Sequence, residues 1–297
     1  MKVGYVALIG RPNAGKSTLL NKILGEKVAI TSDKPQTTRT SILGIKTTEK
    51  GQIIFLDNPG IHKPLHGLNK RMMNIVFSSL ETSDVICLLI DTTLRFGHGD
   101  QFVLNSLKDI KTPVILLINK VDIIKKDKIL PLIEQYNGLF NFKEIIPISA
   151  YKGTNVDVLE EKIYEYLPEA EKMYSDDEVS IQSQKFLLSE IIREKVLHHV
   201  REELPFVTAT YIDEIEDRPE DKDGRKVKYI SARIFVEKDN QRKIIIGRRG
   251  SLVKRIGTEA RKEIEQILDA KVYLDLQVRV KERWRDSPNV LDLIESQ

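Results

Sequence analysis

Residues Gly10-Arg11-Pro12-Asn13-Ala14-Gly15-Lys16-Ser17 fit the pattern GxxxxGK[ST], and Thr18 follows directly in the same phosphate-binding set. The chemistry such a loop offers is the capture of a polyphosphate. Glycines let the backbone wrap the anion so that successive N–H groups and a helix N-terminus point at it, while Lys16 supplies a point charge for the β and γ phosphates. The Ser17 hydroxyl is suited to Mg2+. A chance glycine-rich turn would not require a strand before it and a helix after it. Here the apolar run Val3 to Ile9 precedes the loop and the helix-length stretch Lys16 to Leu24 follows it.

Three further short segments sit where predicted strands end. Asp57-Asn58-Pro59-Gly60 places a carboxylate where it can hold Mg2+ through water, and a glycine whose N–H can reach a γ-phosphate unobstructed. Asn119-Lys120-Val121-Asp122 offers a carboxylate that can accept from two adjacent donors, which the guanine edge has and adenine lacks. A carboxylate left unpaired against adenine would cost about 1–3 kcal/mol or more, so the base is expected to be guanine. Ser149-Ala150 then fits a backbone contact to the guanine carbonyl. The alternative of an ATPase is separated from this reading by nucleotide competition.

These segments need a sheet to hold them at one edge. Val3 to Ile9, Ile53 to Leu56, Val85 to Ile90, Val114 to Ile118 and Glu144 to Ile148 read as buried strands separated by helix-length segments, the alternation of a mostly parallel sheet with helices on both faces. Ligands of such sheets bind beyond the carboxyl ends of the strands, where all four segments fall. The pattern stops near Leu167-Pro168, and a polar stretch follows. We therefore expect an α/β nucleotide-binding domain over 1–172, a linker over 173–180 and a second domain over 181–297.

The second domain reads as helix, two-stranded hairpin, short helix, helix and strand. Leu188, Ile191, Ile192 and Val196 share a helix face, Pro205 to Asp217 and Val227 to Val236 alternate as strands, and Val272 to Val280 alternates again. Between the two later helices lies Gly247-Arg248-Arg249-Gly250, preceded by Ile246 and followed by Lys254 and Arg255. Glycines there permit close approach and the arginines add charge for a phosphate backbone. From Arg225 to Arg285 there are 18 Lys+Arg against 8 Asp+Glu, although the whole chain is only +3.

The 297 residues are 41% hydrophobic and 31% charged, without an apolar run long enough to span a bilayer. No signal-like segment precedes the first motif, so a cytoplasmic location is expected. The lone Cys87 lies in an apolar strand and has no disulfide partner within the chain. The five histidines form no metal-ligand spacing.

Taken together, the four nucleotide segments resemble the signature of the small GTPases, and Pro35-Gln36-Thr37-Thr38-Arg39 resembles the first switch segment of the Era family. The Gly247–Gly250 loop and its flanking elements are similar to the bacterial, type II form of the KH domain, an α+β fold whose GXXG loop clamps about four single-stranded nucleotides. Ile256 to Glu263 and Val280 to Arg285 also resemble the Era family closely. The resemblance implies GTP and GDP with Mg2+ as ligands, Thr38 closing on Mg2+ in the triphosphate state with Thr37 as the fallback, and binding to small-subunit ribosomal RNA near its 3′ end during small ribosomal subunit assembly. It implies for Asn13 a share in holding K+ between the phosphates; the other reading of Asn13 is a turn residue. Ile61 follows Gly60 where many small GTPases carry a water-orienting glutamine, so hydrolysis must rely on another group. Asn58 departs from the threonine usual in the family. Trp284 either stacks on a base or packs beneath the last helix. The competing reading of the basic domain is docking on a protein or peripherally on the inner face of the cell membrane, for which anionic lipid alone would suffice.

Overall fold

The computed structural model describes residues 1–64 and 66–297, and the chain divides into two compact units, the first of residues 1–64 and 69–181 and the second of residues 182–297 together with the short piece 66–68. In the first unit the strands are β1 (Lys2–Gly10), β2 (Ile42–Thr48), β3 (Gly51–Asp57), β4 (Val85–Asp91), β5 (Val114–Asn119) and β6 (Glu144–Pro147). The helices are α1 (Lys16–Leu24), α2 (Gly67–Thr82), α3 (His98–Ser106), α4 (Ile129–Asn137) and α5 (Val156–Tyr166). The sheet order is β2-β3-β1-β4-β5-β6, parallel throughout except that β2 runs antiparallel to β3. Val6 to Ile9, Ile53 to Phe55 and Ile115 to Ile118 are all fully buried, as strands covered on both faces must be.

Register is what positions the chemistry. Leu8 pairs with Asp57, Gly10 with Leu89, and Asp91 with Asn119. The carboxyl ends of β1, β3, β4 and β5 therefore finish level, and the loops that leave them emerge along one edge. β2 was not among the strands expected from the sequence. Its seven residues, Ile-Leu-Gly-Ile-Lys-Thr-Thr, have no clean alternation, and pairing with β3 decides their conformation. Gly44 within it lets α1 approach, since a Cβ there would lie 2.7 Å from methyl carbons of Leu20 and Leu24.

The segment 173–180, expected as a linker, is instead bound to the first unit. Gln52 is fully buried, and its amide oxygen accepts from the backbone N–H groups of Met173 and Tyr174, each at 3.0 Å. Its amide nitrogen donates to the Tyr174 carbonyl and to Thr47 Oγ1, each at 2.9 Å. Farther along, Ile45 N–H donates to the Val179 carbonyl at 2.8 Å, and Ser180 bridges Gly44 antiparallel. The segment thus covers the open edge of β2, which would otherwise present unpaired backbone groups. Its polar composition concealed this because most of the bonds are made by its backbone, Ser180 Oγ adding one to the Leu43 carbonyl at 2.9 Å.

The second unit contains α6 (Gln184–His199), α7 (Leu204–Val207), β7 (Ala209–Arg218), β8 (Val227–Val236), α8 (Asp239–Ile246), α9 (Ser251–Leu268), β9 (Lys271–Val280) and α10 (Pro288–Glu295). β7 and β8 form an antiparallel hairpin and β9 adds parallel to β8. Leu188, Ile191, Ile192 and Val196 of α6 pack with Ile256, Ala260 and Ile264 of α9 over Ile212, Ile230 and Ile234 of the sheet. Ser183 caps α6 by accepting from Phe186 N–H at 3.0 Å. The strand expected from Pro205 begins only at Ala209, because Pro205 sits in the first turn of α7, where its fixed φ favours a helical start. No helix among the described residues is long and apolar enough to cross a membrane.

Gln52→Ala should release the 173–180 segment, since it strands two backbone N–H groups and a carbonyl. Limited proteolysis is expected to cut the variant there at least about tenfold faster than the parent, at about 1–3 kcal/mol for each buried bond removed. Equal cleavage rates would show that Gln52 does not hold the segment.

Candidate nucleotide site and a second glycine loop

The loop between β1 and α1 depends on its glycines. Gly10 has φ +148, and a Cβ there would lie 2.4 Å from the Leu89 carbonyl oxygen; at Gly15, with φ +100, it would lie 2.3 Å from Asn119 Nδ2. Lys16 is 5% exposed, with Nζ 3.3 Å from the Arg11 carbonyl. Burial lowers its pKa, and the charge of Asp57 works against that shift. A cleft of about 190 Å3 opens beside it, lined by Pro12, Asn13, Gly15 to Thr18, Gln36 to Thr38, Gly60 and Lys120, among others. Two expected residues point their side chains elsewhere. Arg11 pairs with Asp100 at 3.0 Å, so only its backbone serves the loop. Asn13, with φ +64, donates from its amide to the Asp33 carbonyl at 2.6 Å.

Asp57 has no exposed surface, and burial raises its pKa to about 6 against the opposing effects of Lys16, Ser17 and Thr38. Ser17 Oγ donates to Asp57 Oδ2 at 2.5 Å and lies 2.9 Å from Thr38 Oγ1. The other carboxylate oxygen, Oδ1, is buried without a partner. Two hydroxyls and a buried carboxylate with an orphaned oxygen form an all-oxygen donor set of the kind a hard divalent cation takes, so the residues present fit Mg2+. Thr37, the fallback for Thr38, instead donates to the Lys34 carbonyl at 2.7 Å.

Beyond β3, Gly60 lies against the loop so closely that a Cβ would be 2.6 Å from Pro12 N and 2.7 Å from Pro12 Cα. Ile61 N–H donates to the Gly10 carbonyl at 2.9 Å, and the Ile61 side chain is 2% exposed. The side chain of Asn58 is engaged on both of its polar atoms. Its amide donates to the Leu56 carbonyl at 3.1 Å and its oxygen accepts from Ser79 Oγ at 2.8 Å, which ties the end of β3 to α2.

At the base end Ser149 Oγ donates to Asp122 Oδ1 at 2.6 Å, holding the carboxylate in one orientation. Asp122 is exposed, so the protein itself does not desolvate its carboxylate. Lys120, with φ +68, pairs with Asp91 at 2.6 Å. Asn119 is 1% exposed and works as a strut: its amide donates to the Ala14 carbonyl at 2.8 Å and its oxygen accepts from Ala150 N–H at 2.9 Å. It thereby joins the phosphate loop to the Ser149-Ala150 turn, a linkage that no sequence spacing announces.

In the second unit α8 ends at Gly247, φ +75, whose N–H donates to the Lys243 carbonyl at 3.0 Å. A Cβ there would meet Leu252 at 2.8 Å. Arg249 takes φ +50 and Gly250 φ +77, so the loop turns sharply before α9 and presents Arg248 and Arg249 outward, both exposed. Lys254 and Arg255 are exposed on the first turns of α9, and Ile246 is half-buried. Trp284 is 1% exposed and donates from Nε1 to the Val207 carbonyl at 2.8 Å. It is a packing residue, and the base-stacking alternative is removed.

A family model described as 50S ribosome-binding GTPase matches residues 5–120, and a KH domain model matches residues 214–285. A solved structure of Era in complex with MgGDPNP and nucleotides 1506–1542 of 16S ribosomal RNA is 42% identical, covers 99% of this chain and 98% of its own, and superposes with a TM-score of 0.94. This chain belongs to the Era family of GTPases. A variant of Aquifex aeolicus Era bound to GDP.AlF4- is likewise 42% identical, with 99% of each chain covered and a TM-score of 0.93. The likeness to Era extends over the whole fold, a P-loop GTPase domain followed by a KH domain, and the enzyme class is GTP hydrolysis.

Asn119→Ala is expected to lower both stability and nucleotide affinity in this Era-family chain, because it strands the Ala14 carbonyl and the Ala150 N–H. At about 1–3 kcal/mol per stranded buried group, the denaturation midpoint should fall and the dissociation constant for GDP should rise about tenfold or more. Calorimetric titration checks this. Unchanged affinity would mean the strut does not shape the site.

Proposed function

We propose that the chain binds GTP and GDP with Mg2+, hydrolyses GTP, and clamps a single strand near the 3′ end of small-subunit ribosomal RNA through its second unit, acting in small ribosomal subunit assembly. The observation that carries the RNA half is the Gly247–Gly250 loop: two exposed arginines between glycines at left-handed φ, in a stretch that matches the KH model. The Era relative solved with nucleotides 1506–1542 of 16S ribosomal RNA supports the choice of RNA. Backbone N–H groups of Asn13 to Thr18 and the Lys16 ammonium take the phosphates, and Ser17, Thr38 and Asp57 would hold Mg2+, which neutralises charge developing on the phosphates when bound. Asp122 and Ala150 read the guanine edge. The work is proposed to take place in the cytoplasm.

With its amide nitrogen held by Asp33, Asn13 has its oxygen left as a ligand for K+, whose charge would stabilise the transition state. Hydrolysis is expected to run several-fold faster in K+ than in Na+ at matched ionic strength and saturating GTP. Equal rates would remove Asn13 from that role.

Replacing Arg248 and Arg249 together with Asp should leave GTP binding intact and abolish tight RNA binding, because two attractions to phosphate become repulsions. The salt slope should fall by roughly 0.7 for each phosphate that is no longer neutralised. The measurement is titration of fluorescent RNA copied from the small-subunit 3′ end, with scrambled RNA and anionic vesicles alongside. Undiminished binding by the double variant, or the absence of any preference between the RNAs, would overturn the reading, and docking on a protein or on an anionic membrane surface would move ahead.

A further inference from the structure

Hydrolysis of GTP forms a bond from a water oxygen to the γ-phosphorus and breaks the bond from that phosphorus to the β–γ bridging oxygen. The bonding pair leaves with GDP, and the water protons end on phosphate and solvent. The attacking water needs an acceptor to aim it, and the buried Ile61 has none to give. Elsewhere in the cleft, on the first switch segment, a buried amide oxygen is an acceptor to spare. Gln36 lines it together with Lys16, Thr38 and Gly60, and its Oε1 is buried without a hydrogen-bond partner.

The orientation of that amide follows from its neighbour. His62 Nδ1 lies 2.8 Å from the Gly60 carbonyl oxygen, which can only accept, so Nδ1 carries the hydrogen. In the neutral ring Nε2 then carries the lone pair. Nε2 is 3.5 Å from Gln36 Nε2, at the long end of a hydrogen bond, so the Gln36 amino group faces the ring and Oε1 faces away as a free acceptor. The backbone is equally set. Gln36 takes φ +61, which costs a residue with a Cβ about 1–2 kcal/mol and persists only where its surroundings over-determine it. Thr37 and Thr38 on its C-terminal side are both buried and hydrogen-bonded, to the Lys34 carbonyl and to Ser17.

We infer that Gln36 orients the attacking water through Oε1, supplying from the first switch segment the acceptor absent at Ile61, and that His62 is the positioning residue that sets the Gln36 amide. The inference rests on the GTPase reading above and names how that site performs its reaction.

The test is single-turnover GTP hydrolysis by the full chain, paired with the affinity for non-hydrolysable GDPNP. Gln36→Ala should slow the chemical step about tenfold or more while GDPNP affinity stays within about twofold. His62→Ala should slow the same step, and His62→Gln, which presents an oxygen acceptor near the place of Nε2, should recover part of the rate. A rescue of that kind distinguishes positioning from bulk. Hydrolysis by Gln36→Ala within twofold of the parent, or a rate loss matched by an equal loss of GDPNP affinity, would overturn the inference alone. Failure of the parent chain itself to turn GTP over would overturn the GTPase reading and this inference with it.

Discussion

Two opposite charges out of water, Lys16 at 5% exposure and Asp57 at none, are the constraint on which the first unit is organised. Each is held off its ordinary pKa by burial, Lys16 downward and Asp57 upward to about 6, and their mutual attraction only partly offsets the desolvation. For Asp57 the sign is definite. Between the ordinary carboxylate value of 3.8 and about 6 the native state keeps a proton that the unfolded chain gives up, so raising the pH through that window costs native stability. Polyphosphate and a divalent cation would relieve both residues at once. Ligand that binds only the native state would then stabilise it by mass action.

Holding such a pair in place requires rigid surroundings, and the close approaches in the site serve that end. The left-handed glycines Gly10 and Gly15 admit a carbonyl and the Asn119 amide where a side chain would collide. Gly60 lets the segment after β3 lie against Pro12, and Asn119 spans from Ala14 to Ala150. These contacts join the loop between β1 and α1 to the segment after β3 and to the Ser149-Ala150 turn.

The Gly247–Gly250 loop repeats the logic with different chemistry. Glycines again bring the backbone close, but charge comes from exposed arginines rather than from a buried lysine. An exposed cation loses little hydration and suits a long polyanion that is gripped and released, whereas the buried lysine suits a compact anion that is enclosed.

Local patterns in the sequence were enough to single out the glycine loop between β1 and α1, the Asn119–Asp122 segment, the parallel strands and the Gly247–Gly250 loop, because each is a contiguous run whose signature resides in its own spacing. Contacts between segments distant in the chain were not legible. The double hydrogen bond of Asn119, the burial of Trp284 against Val207, the clamp of Gln52 on residues 173–174 and the edge strand β2 all depend on which residues the fold brings together. A polar stretch that looked like a linker became part of a sheet edge because most of its bonds are made by its backbone, with Ser180 Oγ adding one to the Leu43 carbonyl. Residue type and spacing therefore determined which chemistry was present. Tertiary structure alone decided what holds it, since a hydrogen bond between residues far apart in the chain leaves no mark in either partner's local pattern.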